Sequence, residues 1–261
     1  MAHEDPVFEM SLQAIEQGKR QVIRDVETVR SCIGALMGFS PPLAIQYALS
    51  QQGVLGTEAS AAVDKLNSIF DRPGSPAALR ATGEAWTRHV GAVTDQLAGA
   101  LRAERLATND EWSGKAAKAY SDAVTLQNEA LSVIKSITDG LHTSLVDAAA
   151  ALESFWAALA AALKTLLWKL TLAIAACAGV ATLPIGLGLA IEAASAFSDA
   201  MTSITQALTK FQTASAGQRA KLMQLVAGGK AYPDGSWPKV VPARLADASV
   251  KDGDDSQWEP S

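Results

Sequence analysis

From Phe8 onward the apolar residues Phe8, Leu12, Ile15, Val22, Val26, Val29, Ile33 and Leu36 recur at spacings of threes, fours and sevens. That places them on one stripe of a helical repeat and predicts a long amphipathic helix. Gly38 and Ser40-Pro41-Pro42 end it, since proline cannot continue the hydrogen-bond ladder. A shorter helix is expected within Leu43 to Gln52. Past Gly53 and Gly56 another opens at Thr57, with Val63, Leu66, Ile69 and Phe70 as its apolar positions and Asp71-Arg72-Pro73-Gly74 as its closing turn.

Ser75 followed by Pro76 pairs a capping side chain with a proline at the first helical position. The stripe Leu79, Trp86, Val90, Val93, Leu97 and Leu101 supports a helix of roughly thirty residues that fades at Thr108-Asn109-Asp110. After Trp112-Ser113-Gly114 it resumes at Ala116, Tyr120, Val124, Leu131, Ile134, Leu141 and Leu145. Two such helices bury their stripes by folding back on each other, with arms from Ser75 to Thr108 and Gly114 to Leu145.

Beyond Leu145 the sequence becomes Ala-rich and nearly continuously apolar, and Leu170 to Ile191 is a run of 22 uncharged residues. Such a run is long enough to cross a bilayer at about 1.5 Å per residue. Gly179, Pro184, Gly186 and Gly188 interrupt it, and its many Ala, Gly and Thr residues favour insertion little. Three readings stay open: a helix-turn-helix tip near residues 179–188 covered by protein or by copies of the chain, a tip that enters a membrane, and a single spanning helix. Leu170, Ile174, Leu183, Pro184, Ile185, Leu187 and Leu189 are the candidate membrane or partner surface. A last amphipathic helix carries Leu189, Phe197, Met201, Ile204, Leu208, Phe211, Leu222 and Leu225 and ends at Gly228-Gly229. No segment of convincing length has strand period. The predicted fold is therefore all-α, an elongated bundle of about six helices. Residues 1–73 form N-terminal helices and 74–229 the hairpin and long apolar helices, packed together. Residues 230–261 are an extended, flexible tail dispensable for folding.

Composition narrows the chemistry. The 261 residues are 49% hydrophobic and 19% charged, with 6% aromatics, so disorder is excluded and Ala, Leu, Val and Ile carry the core. With 22 basic and 27 acidic residues and no basic block, nothing marks a nucleic-acid footprint. The acidic start Met1-Ala2-His3-Glu4-Asp5-Pro6 lacks the features of a cleavable secretory signal. Cys32 and Cys177 form no CxxC and read as buried thiols. His3, His89 and His142 are scattered, with no HExxH, although His89 and His142 fall beside the stripes of facing helices. Gly186-Leu187-Gly188 lacks a third glycine and a preceding strand, Ala227-Gly228-Gly229-Lys230 ends a helix instead of opening one, and Asp252, Asp254 and Asp255 lack the spacing of a calcium loop. No catalytic, cofactor or metal site is expected, and no small-molecule substrate.

The segment Glu111-Trp112-Ser113-Gly114-Lys115-Ala116-Ala117-Lys118-Ala119-Tyr120 lies between two long helices. A glycine there permits a tight reversal, and a tryptophan beside it can cover the hairpin's open end. Here the chain resembles the Trp-x-Gly proteins of type VII secretion, leaderless helical hairpins with that motif at the bend. Gly74-Ser75-Pro76-Ala77-Ala78-Leu79-Arg80 running into Trp86 looks like the first helix of actinobacterial members. The resemblance covers residues 75–145, and the greater length is similar to the extended, PPE-like or secretion-associated members. It implies a non-enzymatic secreted or envelope-associated protein, with Trp112, Gly114 and Tyr120 as the hairpin motif. The partner it implies is another helical type VII protein, or the chain itself. The family's export signal, a Tyr followed four residues later by Asp or Glu, has no match, since Tyr47 precedes Gln51, Tyr120 precedes Val124 and Tyr232 precedes Ser236. Either a partner supplies the signal, or the chain uses another one, or it is not a substrate. Two other classes stay open: a membrane-active pore-forming type of helical protein that inserts its apolar hairpin, and a cytosolic helical scaffold.

Overall fold

The computed structural model describes residues 6–36, 42–70, 73–102, 115–177, 182–228, 231–232 and 236–238. Among them the fold is all-α: α1 (Pro6–Leu36), α2 (Pro42–Phe70), α3 (Pro76–Trp86), a π-helical turn (Thr87–Gly91), α4 (Ala92–Ala100), α5 (Lys115–Cys177) and α6 (Leu183–Gly228). The chain divides into two compact units, one of residues 1–78 and 149–212, the other of residues 79–148 and 213–261. The second arm therefore does not end at Leu145. It runs unbroken into the apolar segment as one 63-residue helix.

In the first unit every helix contributes a seam of threes and fours. Phe8, Ile15, Val22, Val29 and Ile33 are buried on α1, and Leu55, Ala59, Ala62 and Leu66 on α2. Trp156, Leu159, Leu163, Leu166, Leu170 and Ala173 line α5, and Ala190, Ala194, Phe197 and Met201 line α6. With the exception of Ala59, these side chains belong to one continuous core. Its centre of mass in aromatic terms is Trp156, which meets Phe8, Phe70 and Phe155 edge-on at centroid distances of 6.5, 5.6 and 5.2 Å. Its indole N–H donates to the Pro73 carbonyl at 3.0 Å, so the one polar atom of the ring is satisfied.

One expected break is absent. Gly53 and Gly56 do not separate two short helices, because α2 passes through both. Each glycine costs a helix about 1 kcal/mol relative to alanine. Burial of Leu55, Ala59, Ala62 and Leu66 outweighs that cost. The expected stop before α3 is present: Gly74 takes φ +75°, and the Ser75 hydroxyl accepts the Ala78 N–H at 3.0 Å ahead of Pro76.

The second unit contains α3, α4, the first part of α5 and the last part of α6. Ser144 donates to the Gln218 side-chain oxygen at 2.7 Å, and a Cβ on Gly140 would sit 3.0 Å from Leu222, so α5 and α6 run antiparallel here. The segment expected to be a free tail docks over its described part. Ala231 and Pro238 are buried, the Tyr232 hydroxyl donates to the Ala130 carbonyl at 2.8 Å, and Gln127 donates to the Pro238 carbonyl at 3.2 Å. Tyr232 also meets Trp237 edge-on at 6.2 Å. Few apolar residues were needed for this, which is why periodicity gave no sign of it.

Candidate association surfaces

The hairpin expected around Trp112-Ser113-Gly114 has arms whose pairing can be read directly. A Cβ on Gly83 would lie 3.1 Å from His142 Nδ1, one on Gly91 would lie 2.6 Å from Thr138 Oγ1, and Asn128 donates to the Ala98 carbonyl. Each step forward on the first arm is matched by a step back on α5. The arms are antiparallel, and the midpoint of every pair falls at residues 112–115. Trp112 and Gly114 themselves lie outside the described residues. Tyr120 is half-buried on the first turns of α5.

The contacting face is not the one that hydrophobicity selects. Gly83, Gly91, Thr94 and Ala98 are buried, whereas Trp86, Val93 and Leu97 are 44%, 47% and 50% exposed. Small residues win because they let the helix backbones approach closely. A π turn at Thr87–Gly91, whose closing bond runs from the Ala92 N–H to the Thr87 carbonyl, lies within this contact. The Thr94 hydroxyl lies 2.9 Å from both the Val90 and Gly91 carbonyls just beyond it. Of the stripe Trp86, Val90, Val93 and Leu97, spaced four, three and four, Val90 is half-buried and the other three are left facing outward, in the pattern of a helix-packing seam. Binary patterning pointed to this stripe as core. The run of Gly83, Gly91 and Ala98 at helical spacing was the overlooked signal.

Elsewhere on these arms, Lys135 donates to Asp139 at 2.7 Å, and that hydrogen bond lifts the lysine above its ordinary pKa. His142 packs on Gly83 with Nδ1 buried and lacking a hydrogen-bond partner, while His89 is exposed. No group of three or more His, Cys, Asp or Glu side chains converges as a metal site among the described residues.

The apolar candidate surface near residues 170–189 is split. Leu170 is a core side chain, and Ile174 and Leu189 pack against that core, so these three do not present a free face. Their positions continue the α5 and α6 seams, which is the physical reason. Pro184 and Ile185 are exposed, as are Trp168 and Leu172, which the sequence reading passed over. The side chains of Leu183 and Leu187 lie outside the described residues. The break is shorter than the expected turn at residues 179–188. Helix α5 ends at Cys177, and α6 begins at Leu183 and passes through Pro184, Gly186 and Gly188, with the Gly186 N–H donating to the Thr182 carbonyl at 3.0 Å. Pro184 is tolerated because the first turn of a helix needs no N–H from it. One described helix, α5, is long and apolar enough to cross a membrane by length and composition. In the same unit a groove of about 740 Å³ runs between α1 and α5, floored by Gly18, Ala160 and Leu163 and edged by Arg20, Arg24 and Lys164.

No protein-family model, curated protein or solved structure matches the chain.

Proposed function

We propose that this chain is a non-enzymatic protein of the type VII secretion kind that works by helix–helix association, with Trp86, Val90, Val93 and Leu97 as its docking seam. The observation that carries this reading is the antiparallel register of the arms, centred on residues 112–115, where the Trp-x-Gly sequence stands. An outward stripe of large apolar side chains beside that hairpin is what a helical partner, or a second copy, would cover. Val93→Asp with Leu97→Asp places two charges in the seam without touching the Gly83, Gly91 and Ala98 contact, so the hairpin stays folded while association is lost.

The test is export from a host that carries a type VII system, measured for the parent chain and the double variant, with and without the system's secretion ATPase. Export that needs the ATPase and fails in the double variant supports the reading. Export that ignores the ATPase, or a double variant exported as well as its parent, refutes it. A cytosolic scaffold would make the same helix contacts and would stay in the cell under all four conditions.

A further inference from the structure

A helix that follows a partner repeats its contact every seven residues, because two turns of about 3.6 residues come round to nearly the same face. On the first arm of the hairpin the contact with α5 falls on Gly83, Gly91 and Ala98, at spacings of eight and then seven. The extra residue is absorbed by the π turn Thr87–Gly91, which lies between the first two contacts. One residue of α-helix is about 100° of rotation, so the π turn sets α4 about 100° away from where a straight helix would leave it. The continuation of Gly83 by sevens is Val90 and Leu97. In a straight helix these two would meet α5, and Gly91 and Ala98 would turn outward.

We propose that the π turn is a two-state device. The first arm exchanges between the π form, with Val93 and Leu97 outward, and a straight form in which α4 has turned about 100° and Val90 and Leu97 lie against α5. The inference rests on the docking reading only in calling that stripe a seam: the straight form hides it, so whatever covers the seam holds the chain in the π form. Each form keeps what the other gives up. The π form has close backbone approach, since a Cβ would lie 3.1 Å from His142 at Gly83 and 2.6 Å from Thr138 at Gly91. It interrupts the α-helical ladder, with the Ala92 N–H donating to the Thr87 carbonyl. Threonine hydroxyls brace the interruption on both sides. Thr87 donates to the Gly83 carbonyl at 3.2 Å, and Thr94 lies 2.9 Å from the Val90 and Gly91 carbonyls. The straight form restores the ladder and takes Leu97, 50% exposed, and the half-buried Val90 out of water, while parting the backbones to admit them. The turn buries no charge, because Arg88 and Asp95 each stand two residues from Val90 and Leu97, on the opposite side of a straight helix.

The experiment is disulfide trapping in the full chain carrying Cys32→Ser and Cys177→Ser. A Cβ on Gly91 lies 3.5 Å from Thr138 Cβ, within the about 3.5–4.5 Å that a disulfide spans, so Gly91→Cys with Thr138→Cys reports the π form. Val90→Cys with Thr138→Cys reports the straight form. Both pairs should close under a mild oxidant, the Val90 pair more slowly. Deleting His89 removes the extra residue, brings Gly91 to seven from Gly83 and fixes the seam outward. It should slow the Val90 pair at least about tenfold and leave the Gly91 pair unchanged. Ala98→Lys puts a charge into the π-form contact that the straight form turns out to water, so it should speed the Val90 pair and slow the Gly91 pair. Circular dichroism checks helicity, and if the deletion does not fold, Ala98→Lys decides. The proposal is overturned if either pair fails to close in the chain of native length, if Ala98→Lys unfolds, or if neither change moves the Val90 rate. No partner or export enters this test, so failure of the docking reading leaves the two forms standing, and failure here leaves the export result as measured.

Discussion

Replacing Gly91 by alanine tests whether the two hairpin arms meet as closely as the geometry states. The new methyl carbon would stand 2.6 Å from Thr138 Oγ1 and 3.5 Å from Thr138 Cβ. Thr138 is a fully buried side chain whose hydroxyl donates to the Lys135 carbonyl at 2.7 Å, so turning it aside breaks a buried hydrogen bond. Overpacking of this kind costs about 1–3 kcal/mol. Alanine in a helical backbone returns up to about 1 kcal/mol by restricting the unfolded chain. The net expectation for Gly91→Ala is a loss of about 1 kcal/mol. In a Thr138→Ala background the offending oxygen is gone and the remaining approach is ordinary contact. There Gly91→Ala should stabilise by about 0.5–1 kcal/mol, which makes the coupling between the two positions about 2 kcal/mol. Urea denaturation of the four proteins in the cycle measures this. Gly91→Ala that stabilises the native background, or that has the same effect in both backgrounds, would show that α5 does not lie against Gly91.

Gly53→Ala, at a helical position with nothing within 4 Å of the new methyl, should raise stability by about 1 kcal/mol in the same assay. Trp156→Ala should cost about 3–5 kcal/mol, through loss of a ring packed on three phenylalanines and of its bond to Pro73; near-ultraviolet circular dichroism and denaturation report it. Tyr232→Phe should cost about 0.5–1.5 kcal/mol by removing the bond to Ala130, and deletion of residues 231–261 should lower the melting temperature further. Burial raises the Tyr232 hydroxyl above its usual pKa, so its contribution is complete below about pH 10 and is lost as the pH rises through the folded value. Tyr232→Phe should flatten that alkaline fall. Hydrogen bonds from Lys19 and Arg20 hold the Glu16 carboxyl below its usual range, so Glu16→Gln should remove a small part of the loss of stability on the acid side of about pH 4.

Helix existence was legible because burial on one stripe demands a repeat of threes and fours, and Phe8, Ile15, Val22 and Val29 spell it out at intervals of seven. The cap at Ser75 and Pro76 was equally plain, since it depends on local backbone chemistry, whereas Pro184, Gly186 and Gly188, read as breaks, lie inside α6. Continuity was less so. Whether Gly53 and Gly56 end a helix is a difference between a local cost and the burial of Leu55 and Leu66 against helices distant in sequence, and only the packed core decides it. The same holds for the face of α3 and α4. Pattern alone cannot say whether large apolar residues or glycines touch α5, because close approach rewards the absence of a side chain, which leaves no mark in hydrophobicity. Docking of Tyr232 and Pro238 likewise shows as one hydrogen bond each with α5, with no period to announce them. In the apolar stretch the sequence carried the absence of charge, and the tertiary structure divided it. Leu170 went to the core while Trp168, Leu172 and Ile185 stayed in water, because a helix in a four-helix bundle can bury only the side that faces its neighbours.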